Sequence, residues 1–224
     1  METVMTRRTL LTSNLSLSLL VPLQIAALLI TNGSGHAQDH EISITVSEGT
    51  NMAAAVSPDG QRIVIDLQGT LWIRETGATE ARAITDAYYD ARQPHWSPNG
   101  RRIVFQSFRD GNWHIWSIKP DGSDPKQHTF GPYDEREPRY SPQGDQIAFS
   151  SDRAGNYDVW TLRLEDGKTF QVTETTSHEY TPAWSSDGAM LAYASSREGG
   201  SIWTRPQDGG PEKLIATTPG AIAP

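Results

Sequence analysis

Ser57-Pro58-Asp59-Gly60 returns along the chain as Ser97-Pro98-Asn99-Gly100, Ser141-Pro142-Gln143-Gly144 and Ser185-Ser186-Asp187-Gly188. Each copy stands in the same frame. A threonine lies 12 residues before each serine (Thr45, Thr85, Thr129, Thr173), and Thr217 follows 44 residues after Thr173. Trp72, Trp116, Trp160 and Trp203 come after the motifs at spacings of 44, 44 and 43 residues. An aromatic residue precedes the serine in the last three copies (Trp96, Tyr140, Trp184), and a proline stands three residues before it (Pro94, Pro138, Pro182). A period of 40 to 44 residues held at several positions per unit marks a solenoid or propeller built from one repeated supersecondary unit.

The motif reads as a turn. Proline fixes φ at the second position, Asp or Asn suits the third by bonding its own backbone, and glycine takes the left-handed conformation at the fourth. Asp59 and Asp187 are therefore turn formers, since one carboxylate per turn cannot supply the converging oxygens of a calcium loop. Each turn leads into a short apolar run, such as Arg102-Ile103-Val104-Phe105-Gln106 or Gln146-Ile147-Ala148-Phe149-Ser150. A Gly-containing turn, a second run holding the tryptophan, another turn and a third run ending at the threonine follow, and the next unit's fourth run leads to its serine. Near-continuous apolar runs require cover on both faces, as in a blade between neighbouring blades. The fold class is all-β: a β-propeller with four recognisable four-stranded blades, at about 51–85, 91–129, 135–173 and 179–217. Residues 41–46 form an extra N-terminal strand. Because Glu212 to Ala216 already supplies the outer strand of the last blade, the ring is expected to be open, with strand edges available for self-association.

Ser97-Pro98-Asn99-Gly100-Arg101-Arg102-Ile103-Val104-Phe105 and, in the next unit, Ser150-Ser151-Asp152-Arg153-Ala154-Gly155-Asn156-Tyr157-Asp158-Val159-Trp160 resemble the TolB-type β-propeller repeat. The resemblance spans roughly residues 41–217. It implies a propeller of the kind found in the periplasmic TolB component of the Tol-Pal system, in tricorn-type and prolyl-oligopeptidase-type proteases, and ahead of amidohydrolase barrels. The opening Ile42 to Thr50 with Val56-Ser57-Pro58-Asp59-Gly60 is most similar to the amidohydrolase-associated group. In those enzymes the catalytic residues lie in another domain, so the resemblance brings no chemistry to this chain.

The N-terminus has Arg7 and Arg8, an apolar run from Leu15 to Ile30 and Gly35-His36-Ala37, which together read as a signal peptide over 1–37 cleaved after Ala37. Thr6-Arg7-Arg8-Thr9-Leu10-Leu11 also looks like a twin-arginine signal, so the Sec and twin-arginine routes both stay open. The expected location is periplasmic or secreted, with no stable membrane anchor after cleavage. The chain has a net charge of −8; its first 37 residues hold Glu2, Arg7 and Arg8, which leaves −9 for residues 38–224. An acidic chain lacks the basic face of a sequence-independent nucleic-acid or anionic-membrane binder. With no cysteine, an exported chain stands on its core alone.

No His-x-His pair, His-Glu-x-x-His or Gly-x-Ser-x-Gly motif is present, and His95, His114, His128 and His178 occupy different places in their repeats. No catalytic residue, metal site or cofactor is expected. The repeated tryptophans are read as inter-blade packing, with Trp113 apart from that series. The repeats disagree most between each threonine and the next serine motif, in a connection that leads into the innermost strand and rings one mouth of the axial channel. Asp90, Arg92, Asp134, Arg136, His178 and Glu179 are the candidate ligand-binding residues. Arg92 and Arg136 hold the same slot, so two guanidiniums of adjacent blades are placed to clamp one anionic group, or to be neutralised by Asp90 and Asp134. Two functional readings follow: a non-catalytic exported module binding a protein or peptide at the channel mouth, or the front segment of a larger hydrolase gating substrate to a downstream catalytic domain.

Overall fold

The computed structural model of the chain describes residues 52–217 and two short strands outside them, β1 (Val4–Thr6) and β2 (Ser43–Thr45), which pair antiparallel with each other. The rest of the expected signal peptide, with its cleavage point, lies outside the described residues.

Four sheets of four antiparallel strands follow in chain order. The first comprises β3 (Ala54–Val56), β4 (Arg62–Leu67), β5 (Thr70–Glu75) and β6 (Arg82–Ala83). The second comprises β7 (Ala91–Trp96), β8 (Ile103–Ser107), β9 (His114–Ile118) and β10 (Lys126–Gln127). The third comprises β11 (Glu135–Tyr140), β12 (Gln146–Ser151), β13 (Asp158–Arg163) and β14 (Thr169–Gln171). The fourth comprises β15 (Glu179–Trp184), β16 (Met190–Ser195), β17 (Ser201–Pro206) and β18 (Lys213–Thr217). Each sheet is a meander, and the first strands β3, β7, β11 and β15 lie against one another, as the innermost strands of a propeller do.

The repeated residues make the same bonds in every blade. Ser57, Ser97, Ser141 and Ser185 Oγ accept the amide five residues on, at 2.9, 2.9, 3.1 and 2.9 Å. Three of these hydroxyls donate to the turn residue two places ahead (Asp59, Asn99, Asp187), while Ser141, followed by Gln143, donates to Asp145. The repeated threonines pin the third strand: Thr85, Thr129 and Thr173 Oγ1 accept from Leu71, Ile115 and Val159 N at 2.8, 2.8 and 2.9 Å.

The core lies between blades. Val64, Leu71 and Ile73 of the first meet Trp96, Ile103 and Phe105 of the second. Val104 and Ile115 meet Tyr140, Ile147 and Phe149, and Ala148 and Val159 meet Leu191 and Tyr193. Burial follows from this stacking. Every residue of β8 is buried, whereas β4 and β16 in the outer blades alternate between buried and half-buried positions. The repeated tryptophans pair across strands within their own blades with Ile65, Phe105, Phe149 and Tyr193, and Trp116, Trp160 and Trp203 pack against the clusters between blades, as expected of them.

Candidate functional site at the channel mouth

The innermost strand carries a bulge in the last three blades. Gln93, Glu137 and Thr181, four residues before each serine, have φ of 53°, 59° and 49°, and the pairing register shifts around them. A left-handed residue with a side chain is costly unless its surroundings hold it. Here the preceding blade does so: Gln93 N donates to Asp66 Oδ2 at 2.6 Å, Glu137 N to Gln106 Oε1 at 2.7 Å and Thr181 N to Glu137 Oε2 at 2.5 Å. In the third blade Ser150, at the position of Asp66 and Gln106, is too short to reach; it donates instead to Glu137 Oε2 at 2.9 Å.

Above the bulge the strand entrances form the mouth. The amide six residues before the serine bonds the carbonyl of one slot in the preceding blade: Ala91 N to Gly69 O, Glu135 N to Trp113 O and Glu179 N to Tyr157 O, at 2.8, 2.7 and 2.8 Å. Gly69, Trp113 and Tyr157 are thus equivalents. Glycine is needed in the first blade because a Cβ at Gly69 would meet Asp90 at 3.0 to 3.1 Å. The next two blades place aromatic rings there.

Those rings gather the predicted residues. Arg92 bonds Asp90 through Nε at 3.0 Å, and Arg136 Nη2 bonds Asp134 at 2.8 Å. Each arginine is therefore paired to its own aspartate, two residues away. Both guanidiniums also stand over the Trp113 ring, 5.2 and 5.4 Å from its centre, and Arg136 is 5.8 Å from that of Tyr157. Tyr157 continues to Tyr180 at 5.3 Å and His178 at 6.1 Å, and His178 stacks on Tyr180 at 18° between planes. Phe108 extends the strip at the other end, 5.4 Å from Trp113. The result is a cation–aromatic strip across the second, third and fourth blades.

Although burial opposes it, hydrogen bonds from Trp113 N and Arg136 and the charge of Arg136 hold Asp134 below the usual carboxylate range. Burial, aided by Asp134 and Asp152, raises the Tyr157 phenol to about 12, so it stays a neutral donor. The mouth is neither an anionic nor a cationic patch; it offers flat rings with alternating charges.

Glu179 departs from the expectation. Its side chain has no exposed surface; Oε1 accepts from Thr175 at 2.8 Å and Ser195 at 2.9 Å and faces Arg197 at 3.6 Å. Glu135 holds the equivalent place, equally buried, on His114 Nδ1, Thr129 Oγ1 and Arg153 Nη2 at 2.7, 2.9 and 2.8 Å. These carboxylates belong to the seam between blades and not to the mouth, because alternation along the strand turns the neighbours of Arg136 and Tyr180 inward. Arg153 and Arg197 also cover Trp160 and Trp203, at 4.9 and 4.0 Å. The expected pairwise clamp of Arg92 and Arg136 is replaced by two neutralised guanidiniums on one indole. Trp113, Tyr157 and Tyr180 were missed as site residues, though the 44-residue spacing of Trp113 and Tyr157 is a signal for the first two. Among the described residues no three His, Asp or Glu side chains converge as a metal-ligating group.

Four interlocked antiparallel sheets with a shared innermost layer define a β-propeller repeat array. Residues 131–221 match the family model described as TolB beta propeller domain. The Agrobacterium tumefaciens protein described as TolB superimposes with a TM-score of 0.68 at 21% identity, over 80% of this chain and 70% of that one. TolB from Acinetobacter baumannii does so with a TM-score of 0.66 at 20% identity, over 81% of this chain and 47% of that one. These likenesses concern the fold. Dipeptidyl-peptidase 5 of Porphyromonas endodontalis is 26% identical over 138 residues, 55% of this chain; the matched region spans a fifth of that protein, 20% of its length.

Proposed function

We propose that this chain is an exported, non-catalytic propeller module of the bacterial envelope that binds a protein or peptide segment at the Trp113 mouth. The observation that carries this reading is the placement of Arg92 and Arg136 from adjacent blades on one indole, continuous with Tyr157, Tyr180 and His178. Half-buried aromatic rings with paired charges at their edges suit an extended peptide of mixed charge. The rings give contact area at low entropic cost, and each arginine can exchange its aspartate for a ligand carboxylate. Similarity to TolB proteins and the Arg7-Arg8 leader support a periplasmic or secreted location. The test is the affinity of short acidic and mixed-charge peptides for the chain and for Arg92→Ala/Arg136→Ala. The double variant should bind at least about tenfold more weakly, a difference of about 1.4 kcal/mol; unchanged affinity for every peptide that binds the parent chain overturns the reading.

A second reading, favoured by the match to dipeptidyl-peptidase 5, makes these blades the propeller segment of a larger peptidase- or amidohydrolase-type hydrolase, gating substrate to a downstream catalytic domain. The alternating burial of β4 and β16, which leaves one face of each outer blade half-covered among the described residues, supports an open array that further blades complete. Sequencing the reading frame beyond Pro224 tests it: a catalytic domain there supports the gate, and an immediate stop codon removes it.

A further inference from the structure

At the opposite end of the innermost strands from the Trp113 mouth, the Ser-Pro turns of the first three blades and Ser185-Ser186 of the fourth line a cavity of about 590 Å³. That volume is in the range of small-ligand pockets, roughly 300 to 1,000 Å³. Its walls include Trp96, Trp184, Tyr140 and Pro142, with Arg139 and His95 as the basic residues. The two indoles are fixed by hydrogen bonds across blade boundaries, Trp96 Nε1 to Ala55 O at 3.0 Å and Trp184 Nε1 to Arg139 O at 3.1 Å. The apolar walls are thus set before any ligand arrives.

Arg139 is the unusual member. The residue is half-buried, it donates only to its neighbour's carbonyl (Nη1 to Pro138 O, 2.9 Å), and among the described residues it is in no salt bridge. By contrast Arg92 and Arg136 at the mouth and Arg153 and Arg197 in the seams each have a carboxylate partner. Glu137 acts on Arg139 through space, but its Oε2 is taken by Ser150 Oγ and Thr181 N, and burial holds the guanidinium below its ordinary pKa. A cation withdrawn from water without a partner is costly, and a ligand anion is what removes that cost. His95 adds a donor. Its Nδ1 accepts Tyr140 N at 3.2 Å, and burial, then Arg139, lower its pKa to about 4, so the neutral ring carries its proton on Nε2. The cavity therefore combines one unpaired guanidinium, one neutral N–H donor and rigid aromatic walls.

We infer that this cavity is a binding site for a carboxylate carried on an apolar or aromatic body, with Arg139 and His95 Nε2–H holding the carboxylate and Trp96 and Trp184 packing the body. The chemistry is shared by a free aromatic acid and by the C-terminus of a polypeptide ending in an apolar residue. The site is separate from the Trp113 mouth and does not depend on what binds there.

The test uses the full chain with 15N-labelled indoles. N-acetylphenylalanine and a tetrapeptide ending in phenylalanine are each titrated as the free acid and as the C-terminal amide. The acids should shift the Trp96 and Trp184 indole signals, assigned from Trp→Phe variants, and bind at least about tenfold tighter than the amides. Binding by both acids points to a small carboxylate, and binding by the peptide acid alone points to a polypeptide C-terminus. Arg139→Met should abolish the preference for acid while Arg139→Lys keeps part of it. The acid–amide comparison on the unaltered chain decides even where a variant folds poorly. Equal binding of acid and amide, or no shift of either indole by any of the four probes, overturns the inference.

Discussion

Trp184 Nε1 donates to the Arg139 carbonyl at 3.1 Å, joining the innermost strand of the fourth blade to that of the third, and Trp96 makes the same bond to Ala55 at 3.0 Å. In the third blade the residue at this place is Tyr140, and the blade boundary is tied instead by its amide on His95 Nδ1. The indole bonds explain why an aromatic residue precedes the serine in these blades. Trp184→Phe keeps most of the ring's packing and leaves the carbonyl unpaired. It should lower unfolding stability by about 1 to 2 kcal/mol in urea titration; no change would show that the bond contributes nothing.

Glu135, whose side chain is wholly buried, ties the seam between the second and third blades through His114 and Thr129, and Arg153 of its own blade donates to it. Arg153→Met strands that carboxylate on His114 and Thr129, and should cost about 3 to 5 kcal/mol. Adding Glu135→Gln removes the stranded charge, so the double variant should melt higher than Arg153→Met alone. If it melts lower, the buried charge is not the source of the loss.

Burial, with Asp158 adding to it, pushes the Glu179 carboxyl above the ordinary carboxylate range, and burial raises Asp158 as well. A raised carboxylate binds its proton more tightly in the fold than in the unfolded chain. Its contribution is full below the unfolded pKa and is lost as pH rises through the folded one. Glu179→Gln removes that titration. Its melting temperature relative to the parent chain should therefore become more favourable between about pH 5 and about pH 8. A relative melting temperature that stays flat or falls contradicts this.

His95 and His128 behave in the opposite sense. Burial, with Arg139 beside the first and Arg102 and Lys126 beside the second, lowers both to about 4. The fold favours the neutral rings, so their contribution is present above the unfolded pKa and is lost as pH falls toward the folded value. Calorimetry should show stability dropping below about pH 6, and His128→Gln should be less acid-sensitive than the parent chain. Equal acid sensitivity would mean that His128 does not stay neutral in the fold.

The repeat made the architecture legible because a bond that every blade needs selects the same residue every time. Ser97 and Thr129 are such residues, Trp160 repeats through its packing, and their spacing alone gave the strands and the turns. The mouth was legible only by region. Spacing assigned Arg136 and Glu179 to equivalent connections of two blades, yet alternation along the strand sends Arg136 to the opening and Glu179 into the seam. Trp113 stood outside the tryptophan series because its slot is a rim position, filled by Gly69 in one blade and Tyr157 in another. The unpaired state of Arg139 is a matter of three-dimensional surroundings, and no spacing signals it.

Binding at the Trp113 mouth is tested most directly by titrating an acidic peptide with an amidated C-terminus into the 15N-labelled full chain and following all of the indole signals. The amide keeps the peptide's end from acting as a carboxylate at the far cavity. The Trp113 indole, assigned from Trp113→Phe, should move most, and the movement should disappear in Arg92→Ala/Arg136→Ala. A peptide that binds with Trp113 unmoved would contradict it.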